Sequence, residues 1–260
     1  MTIAIILAAG RGKRMGTAVP KQFLEIDGEP VIVRTLRVFE ESPVIDRIVL
    51  VTSENTVQYC REEIVARYGF SKVARIVPGG KERYDSAWNA LLACRELFEK
   101  DGIPDVSSCR EADASSYVPS YYKDCYVMIH DGARPYVTEE ILVRADKAVR
   151  MYGAVAVGMP TKDTVKIVDA EGFAGRTPKR SSVWIIQTPQ AFAYELILSA
   201  NEKLRAESRL TGVTDDAMIV EASGLARVKL VEGSYANIKI TTVEDLPDRW
   251  HPRLPSFHAD

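Results

Sequence analysis

Between Ala8 and Leu24 the chain carries four cations, Arg11, Lys13, Arg14 and Lys21, and no acidic residue. The same stretch holds Gly10, Gly12 and Gly16, positions where the missing side chain lets backbone N–H groups come close to a ligand. Cations and bare backbone with no acid to neutralise them suit an anion, and a polyphosphate is the natural counter-ion. The glycines do not spell a dinucleotide fingerprint. Counted from Gly10, GxGxxG needs glycine where Met15 stands, and the chain has no GxxxxGK[ST] loop.

A second glycine-rich segment, Pro78-Gly79-Gly80-Lys81-Glu82-Arg83-Tyr84-Asp85-Ser86, follows an apolar run and opens a helical pattern. Its glycines would admit a base or ribose against bare backbone, with Ser86 and the first-turn amides as donors. A third segment, His130-Asp131-Gly132-Ala133-Arg134-Pro135, places a carboxylate at the end of another apolar run. Facing a phosphate-binding loop, Asp131 suits Mg²⁺, which takes one or two carboxylates and completes its shell with phosphate and water. The chain has three histidines, and His251 and His258 fall in the C-terminal tail, so a Ser-His-Asp or Cys-His device would depend on His130 alone. Further along, Thr161–Thr164, Gln187–Gln190 and Asn237–Thr241 each set a cation or hydroxyl beside an extended stretch.

The elements that must position these groups read as α/β. Short β-branched runs at Ile3–Leu7, Arg47–Thr52, Val73–Val77, Cys125–His130, Ala154–Gly158 and Arg227–Val231 alternate with helical patterns. The pattern predicts a mostly parallel sheet, whose ligand loops leave the C-terminal ends of the strands. Helices are expected from a Ser53 cap to Gly69, over Glu82–Lys100, over Thr138–Tyr152 and over Phe192–Glu207. Between 160 and 184, Thr164–Val168 and Val183–Gln187 around the turn-rich Asp169–Gly172 suggest a hairpin arm that projects from the sheet, a device that often makes dimer contacts. Ser107–Tyr122 reads as a long inserted loop, within an insertion of about 101–122, and the residues after Leu246 as an extended tail with three prolines.

Composition sets the outer bounds. With 260 residues, 46% hydrophobic and 27% charged, the chain is an ordinary globular protein able to bury a core without a staple. A net charge of −2 gives no general field for nucleic acid, and none is expected as a partner. The four cysteines, Cys60, Cys94, Cys109 and Cys125, form no CxxC and read as reduced thiols of a cytoplasmic protein. The run Ile3–Ala9 has no basic residue before it, unlike a signal peptide, and no stretch is long enough to span a membrane.

Taken together, LAAGRGKRMG with PKQFL, HDGARP, KDTVK at Lys162–Lys166, WIIQTPQAF, TDDA at Thr214–Ala217 and LVEGSYANIKIT resemble the 2-C-methyl-D-erythritol 4-phosphate cytidylyltransferase family of nucleotidyltransferases, over about Ile3 to Leu246. The resemblance implies one nucleotidyltransferase domain over 1–246, built on a Rossmann-like α/β sheet of the nucleotide-diphospho-sugar transferase type, with the arm serving dimerisation. It implies that Ala8, Ala9, Gly10, Gly80, Lys81, Arg83 and Ser86 line the CTP site, and that Arg14 and Lys21 neutralise the triphosphate and transition state. Asp131 would hold Mg²⁺, and Lys162, Thr188 and Lys239 would grip the phosphate of the sugar substrate. In relatives the arm residue matching Lys162 reaches the neighbouring subunit, which implies a homodimer. Some members carry Arg at that position, and a point charge in place of a bidentate fork could weaken the phosphate grip. The insertion is longer than in most relatives.

The implied chemistry agrees with the scarcity of histidine. In CMP transfer the nucleophile is a phosphate oxygen already dianionic near pH 7, so no general base is needed, only cations that bring two anions together and stabilise the departing pyrophosphate. A ribitol 5-phosphate cytidylyltransferase shares the opening motifs and is the alternative within the class. A catalytically silent nucleotide-binding module is the alternative outside it, and it would be expected to have lost Arg14, Lys21 or Asp131.

Overall fold

A computed structural model describes residues 1–10, 19–101 and 124–246. Arg11, Lys13, Arg14, Cys109, the Ser107–Tyr122 segment and the tail after Leu246 lie outside the described residues. In chain order the elements are β1 (Thr2–Leu7), a small hairpin of β2 (Glu25–Ile26) and β3 (Glu29–Pro30), α1 (Val31–Glu41) and β4 (Arg47–Thr52). Next come α2 (Val57–Tyr59), which continues in wider π-type turns over Cys60–Ala66, then β5 (Val73–Pro78), α3 (Arg83–Lys100), β6 (Tyr126–Asp131) and α4 (Glu139–Tyr152). β7 (Ala154–Pro160), β8 (Ile167–Val168), β9 (Ala174–Arg176), β10 (Trp184–Ala193), α5 (Tyr194–Ala206), α6 (Asp216–Ser223) and β11 (Lys229–Glu232) complete it.

Seven strands form one sheet in the order β11-β7-β10-β6-β1-β4-β5. All neighbours are parallel except β10, which runs antiparallel to both β6 and β7. Helices cover both faces, and this is why β1 reads as unbroken Ile-Ala-Ile-Ile rather than alternating: Ala4 and Ile6 pack into the core under α1 and α4, while Ile3 and Ile5 pack with α3, α5 and α6. The expected α/β architecture is therefore present.

Three elements differ from the sequence expectation. Val183–Gln187 is not the return strand of the arm; Trp184, Ile185 and Ile186 pair with Pro160, Met159 and Gly158, so this stretch belongs to the main sheet as the start of β10. The arm hairpin is instead β8 with β9, a short pair in which Ile167 faces Arg176. The helix expected from Phe192 begins at Tyr194, because Phe192 and Ala193 still pair with Val127 and Tyr126 of β6. Ser53 heads a single tight turn, where its hydroxyl pairs with Thr56 at 2.7 Å rather than capping a backbone N–H. Gly69 does close this segment, at φ 69°.

Two helices have no sequence expectation. α1 has its apolar stripe in Val31, Ile32, Leu36 and Phe39. α6 is short but well terminated: the Asp215 carboxylate accepts from Met218 N at 2.9 Å, and Gly224 stops the helix in the left-handed region.

Candidate active site

The C-terminal ends of β1, β5 and β6 open onto one cleft of about 730 Å³. Ala9 and Gly10 line it from the β1 loop, Gly80, Lys81, Arg83 and Ser86 from the loop into α3, and Asp131 and Lys239 from its floor. Ala8 is buried just behind: its N–H donates to Val51 O and its carbonyl accepts from Gln22 Nε2 at 2.6 Å, which ties the loop to the start of the Pro20–Leu24 segment.

The second glycine loop is close-packed by necessity. A Cβ on Gly79 would stand against the Ala9 side chain and 2.9 Å from Ser86 Oγ, so only glycine brings the two loops together. Gly80 N donates to Ser86 Oγ at 3.0 Å, and Ser86 Oγ donates to Glu82 O at 3.1 Å. Ser86 thus shapes the loop with its own proton instead of presenting that proton to a ligand. Glu82 and Asp85 close a reciprocal capping box at the start of α3, and this fixes Arg83 as the first helical residue on the cleft wall.

Asp131 is the electrostatic centre. Its Oδ2 lies 3.0 Å from Lys239 Nζ and 3.3 Å from Arg134 Nε, and its Oδ1 lies 3.8 Å from Arg83 Nε. Burial alone would raise the carboxyl's pKa, but Lys239, Arg83 and Arg134 outweigh it and hold the group well below the ordinary carboxylate range. Asp131 is therefore ionised, and three cations around one carboxylate leave the floor with excess positive charge.

The segment carrying Lys239 is knitted over the end of β6. Arg134 Nη1 donates to Asn237 O at 2.9 Å, Asn237 Nδ2 donates to Thr188 O at 2.9 Å, and Ile240 N donates to Ala133 O at 2.9 Å. Asn237 is fully buried. Lys21 Nζ donates to Ile240 O at 2.7 Å, so a single backbone stretch orients both Lys21 and Lys239. Lys239 lines the cleft, whereas Lys21 is tied to the backbone of the same segment and is not among the lining residues.

Thr188 stands behind the floor. Its Oγ1 accepts from Asp131 N at 3.0 Å and lies 3.0 Å from His130 Nδ1. His130 Nε2 is 3.2 Å from Arg134 O, a group that can only accept, so Nε2 carries the ring proton. Burial pushes the His130 pKa down to about 3, the imidazole is neutral, and Nδ1 must accept the Thr188 proton. Thr188 therefore orients Asp131 through the backbone and has no proton left for the phosphate it was expected to grip. Lys162 sits at the root of the arm, its Nζ 3.6 Å from the centre of the Tyr235 ring, and is not part of the cleft wall. Arg14 lies outside the described residues.

One residue that the sequence did not single out closes the arrangement. Asp216, at the start of α6, is only 1% exposed, and its Oδ2 lies 2.7 Å from Arg83 Nη2. Burial would lower the Arg83 pKa, yet Asp216 and Asp131 hold the guanidinium firmly charged. The TDDA motif contains Asp216, but its pairing with Arg83, 133 positions away in sequence, is not readable from spacing.

A mostly parallel α/β sheet with a cleft at its strand ends, around a cation-ringed carboxylate, is the arrangement in which open α/β sheets place a ligand site, and the matching solved structures make it a Rossmann-like nucleotidyltransferase fold. The comparisons with known proteins narrow this. The sequence profile of the family described as 2-C-methyl-D-erythritol 4-phosphate cytidylyltransferase matches residues 2–100 and 120–248. A protein of that name from Clostridium botulinum strain 657 is 46% identical over 243 residues, covering 93% of each chain, and one from Lachnospira eligens is 41% identical over 246 residues, covering 95% of this chain and 96% of that one. The crystal structure of 4-diphosphocytidyl-2C-methyl-D-erythritol synthase from Anaerococcus prevotii superposes with a TM-score of 0.72 at 33% identity, covering 94% of each chain. The chain belongs to the 2-C-methyl-D-erythritol 4-phosphate cytidylyltransferase family.

Proposed function

We propose that this protein transfers CMP from CTP to 2-C-methyl-D-erythritol 4-phosphate, releasing pyrophosphate and forming 4-diphosphocytidyl-2-C-methyl-D-erythritol in the non-mevalonate route to isoprenoid precursors. The observation that carries the reading is the Asp131 floor, a carboxylate ringed by Arg83, Arg134 and Lys239 in the cleft lined by Gly10 and Gly80. Family membership supplies the substrates, and does not favour ribitol 5-phosphate.

In the proposed reaction an oxygen of the substrate phosphate forms a bond to the α-phosphorus of CTP while the bond to the bridging oxygen of pyrophosphate breaks, and no proton has to move. The β1 loop and the Gly80–Ser86 loop hold the nucleotide. Lys21 and Lys239, fixed by the same 237–241 segment, draw the second anion in and balance negative charge as it builds on the pyrophosphate. Arg14, outside the described residues, is proposed to share that work. Lys162 is proposed to meet the substrate phosphate from the arm.

The donor set fits Mg²⁺. Asp131 offers an ionised hard oxygen donor at the end of β6, in the cleft lining. Among the described residues no group of three or more His, Cys, Asp or Glu could hold a metal on its own, so the cation would share its coordination with the nucleotide phosphates. Bound there, Mg²⁺ would neutralise charge on the triphosphate.

A homodimer is also proposed. Phe173 is 72% exposed and Val168 60%, an apolar arm tip that a second copy would cover. No helix among the described residues is long and apolar enough to cross a membrane, and Cys60, Cys94 and Cys125 are buried free thiols, which supports a cytoplasmic location.

The test is pyrophosphate release from CTP and Mg²⁺ by purified protein, with methylerythritol 4-phosphate and ribitol 5-phosphate compared side by side. Release with the first alone is expected. Release only with ribitol phosphate would overturn the substrate, and release with neither would favour a silent nucleotide-binding module.

A further inference from the structure

The reaction as derived makes no use of Asp216, although burying a carboxylate costs several kcal/mol unless something compensates it. Helix capping does not explain it. The cap of α6 is Asp215, whose Oδ1 accepts from Met218 N and whose Oδ2 accepts from Gln190 Nε2, both at 2.9 Å. Gln190 Oε1 in turn accepts from Ala217 N at 2.9 Å, so the helix start is already satisfied without the Asp216 side chain. What the Asp216 carboxylate does meet is Arg83 Nη2, at 2.7 Å.

Arg83 projects from the first turn of α3 into the cleft wall, and its guanidinium lies between two carboxylates. Asp216 holds it from behind at contact distance, and Asp131 faces it from the cleft floor at 3.8 Å. A guanidinium can offer different N–H groups to two carboxylates, and here Arg83 turns Nη2 to Asp216 at the short distance and Nε towards Asp131 at the long one. We infer that Asp216 is a positioning residue for the transfer reaction, acting through Arg83: it fixes the guanidinium on the cleft wall with Nε directed towards Asp131. Without Asp216, the carboxylates left to act on Arg83 are Asp131 and Asp215, and a shift of the guanidinium towards Asp131 would change the charge presented at the floor. This inference rests on the cleft being the cytidylyl-transfer site.

The test uses the full chain and reads stability and kinetics separately. R83M alone strands a buried carboxylate and is expected to lower Tm by about 10 °C, while R83M/D216N removes both charges and should recover more than half of that loss. If D216N lowers the Tm of R83M further, the carboxylate is not buried for Arg83 and the inference fails. D216N alone leaves Arg83 a partner and is expected to fold, with kcat at least tenfold lower and KM for CTP changed less than threefold. D216E, which restores the carboxylate, should regain most of the lost kcat. D216N turnover within threefold of the unsubstituted protein, or no recovery in D216E, overturns the positioning role. Should the unsubstituted protein release no pyrophosphate, the transfer reading itself falls, and the Tm comparison still reports whether the pair exists.

Discussion

The cleft floor and the arm are built from opposite materials. At the floor charged and polar groups are held by their neighbours: Asp131 by three cations, Lys239 and Lys21 through one backbone segment, Thr188 and His130 by each other. The arm's contacts are few and exposed: Lys166 Nζ donates to Thr177 Oγ1 at 2.7 Å, Arg180 Nη2 donates to Thr164 Oγ1 at 3.3 Å, and Phe173 stands in solvent. In the proposed reaction the floor would be preorganised for the charge that develops, whereas the arm would contribute through an exposed contact. Chemistry should therefore fail when the floor is altered, and substrate capture should fail when the arm is altered.

The sharpest way to break this contrast is at its centre. Asp131→Asn is expected to lower kcat by about 10³-fold, at the upper end of what loss of one preorganised electrostatic group costs. Because the change leaves Arg83, Arg134 and Lys239 without their common carboxylate, CTP binding measured by calorimetry without metal should not weaken. Weaker metal-free binding would mean that Asp131 shapes the nucleotide site rather than the reaction. Lys21→Ala should follow, with turnover lower by roughly 10² or more. A loss of less than about tenfold would remove Lys21 from the assignment.

The arm should give the complementary result. Lys162→Ala is expected to raise KM for the methylerythritol phosphate about tenfold, the scale of one charge-assisted contact, with KM for CTP within twofold. Its Tm should stay within 2 °C, since Lys162 contributes one cation–π contact on the half-exposed Tyr235. A fall in kcat with both KM values unchanged would place Lys162 in the reaction and blur the division between floor and arm.

The same division governs what could be read from the sequence. The α/β pattern and the three floor segments are local: a strand followed by a glycine-rich loop or by HDGARP announces itself within about ten residues. That Asp131 and Lys239 belong together follows from the resemblance to a family, not from spacing. The Asp216 pair with Arg83 follows from neither, because it depends on how α6 packs across the start of α3. The phosphate grip expected of Thr188 follows from the family resemblance alone, and only the Arg134 carbonyl, which fixes the His130 ring proton on Nε2, shows the Thr188 proton donated to His130. The arm was misread because Trp-Ile-Ile is a good strand in either setting, and what decides it is register against β7, a non-local property.

The mildest effect expected separates the two regions by pH. His130 titrates near 6.5 in the unfolded chain and about 3 when buried at the floor, so between those values the unfolded state binds more protons. Stability from this group is complete above pH 6.5 and is lost as pH falls towards 3; Asp131, with its pKa depressed below the usual range, adds a second loss only at lower pH, below about 4. Urea unfolding at pH 7, 6, 5 and 4.5 should therefore show a steady decline. His130→Asn, which keeps a donor and an acceptor near Arg134 O and Thr188 Oγ1, should cost about 1 kcal/mol at pH 7 and make the decline shallower. A substitution at exposed Phe173 should leave the slope unchanged. If His130→Asn keeps the full slope, protonation is occurring elsewhere, and the neutral imidazole is not what ties the Thr188 hydroxyl to the floor.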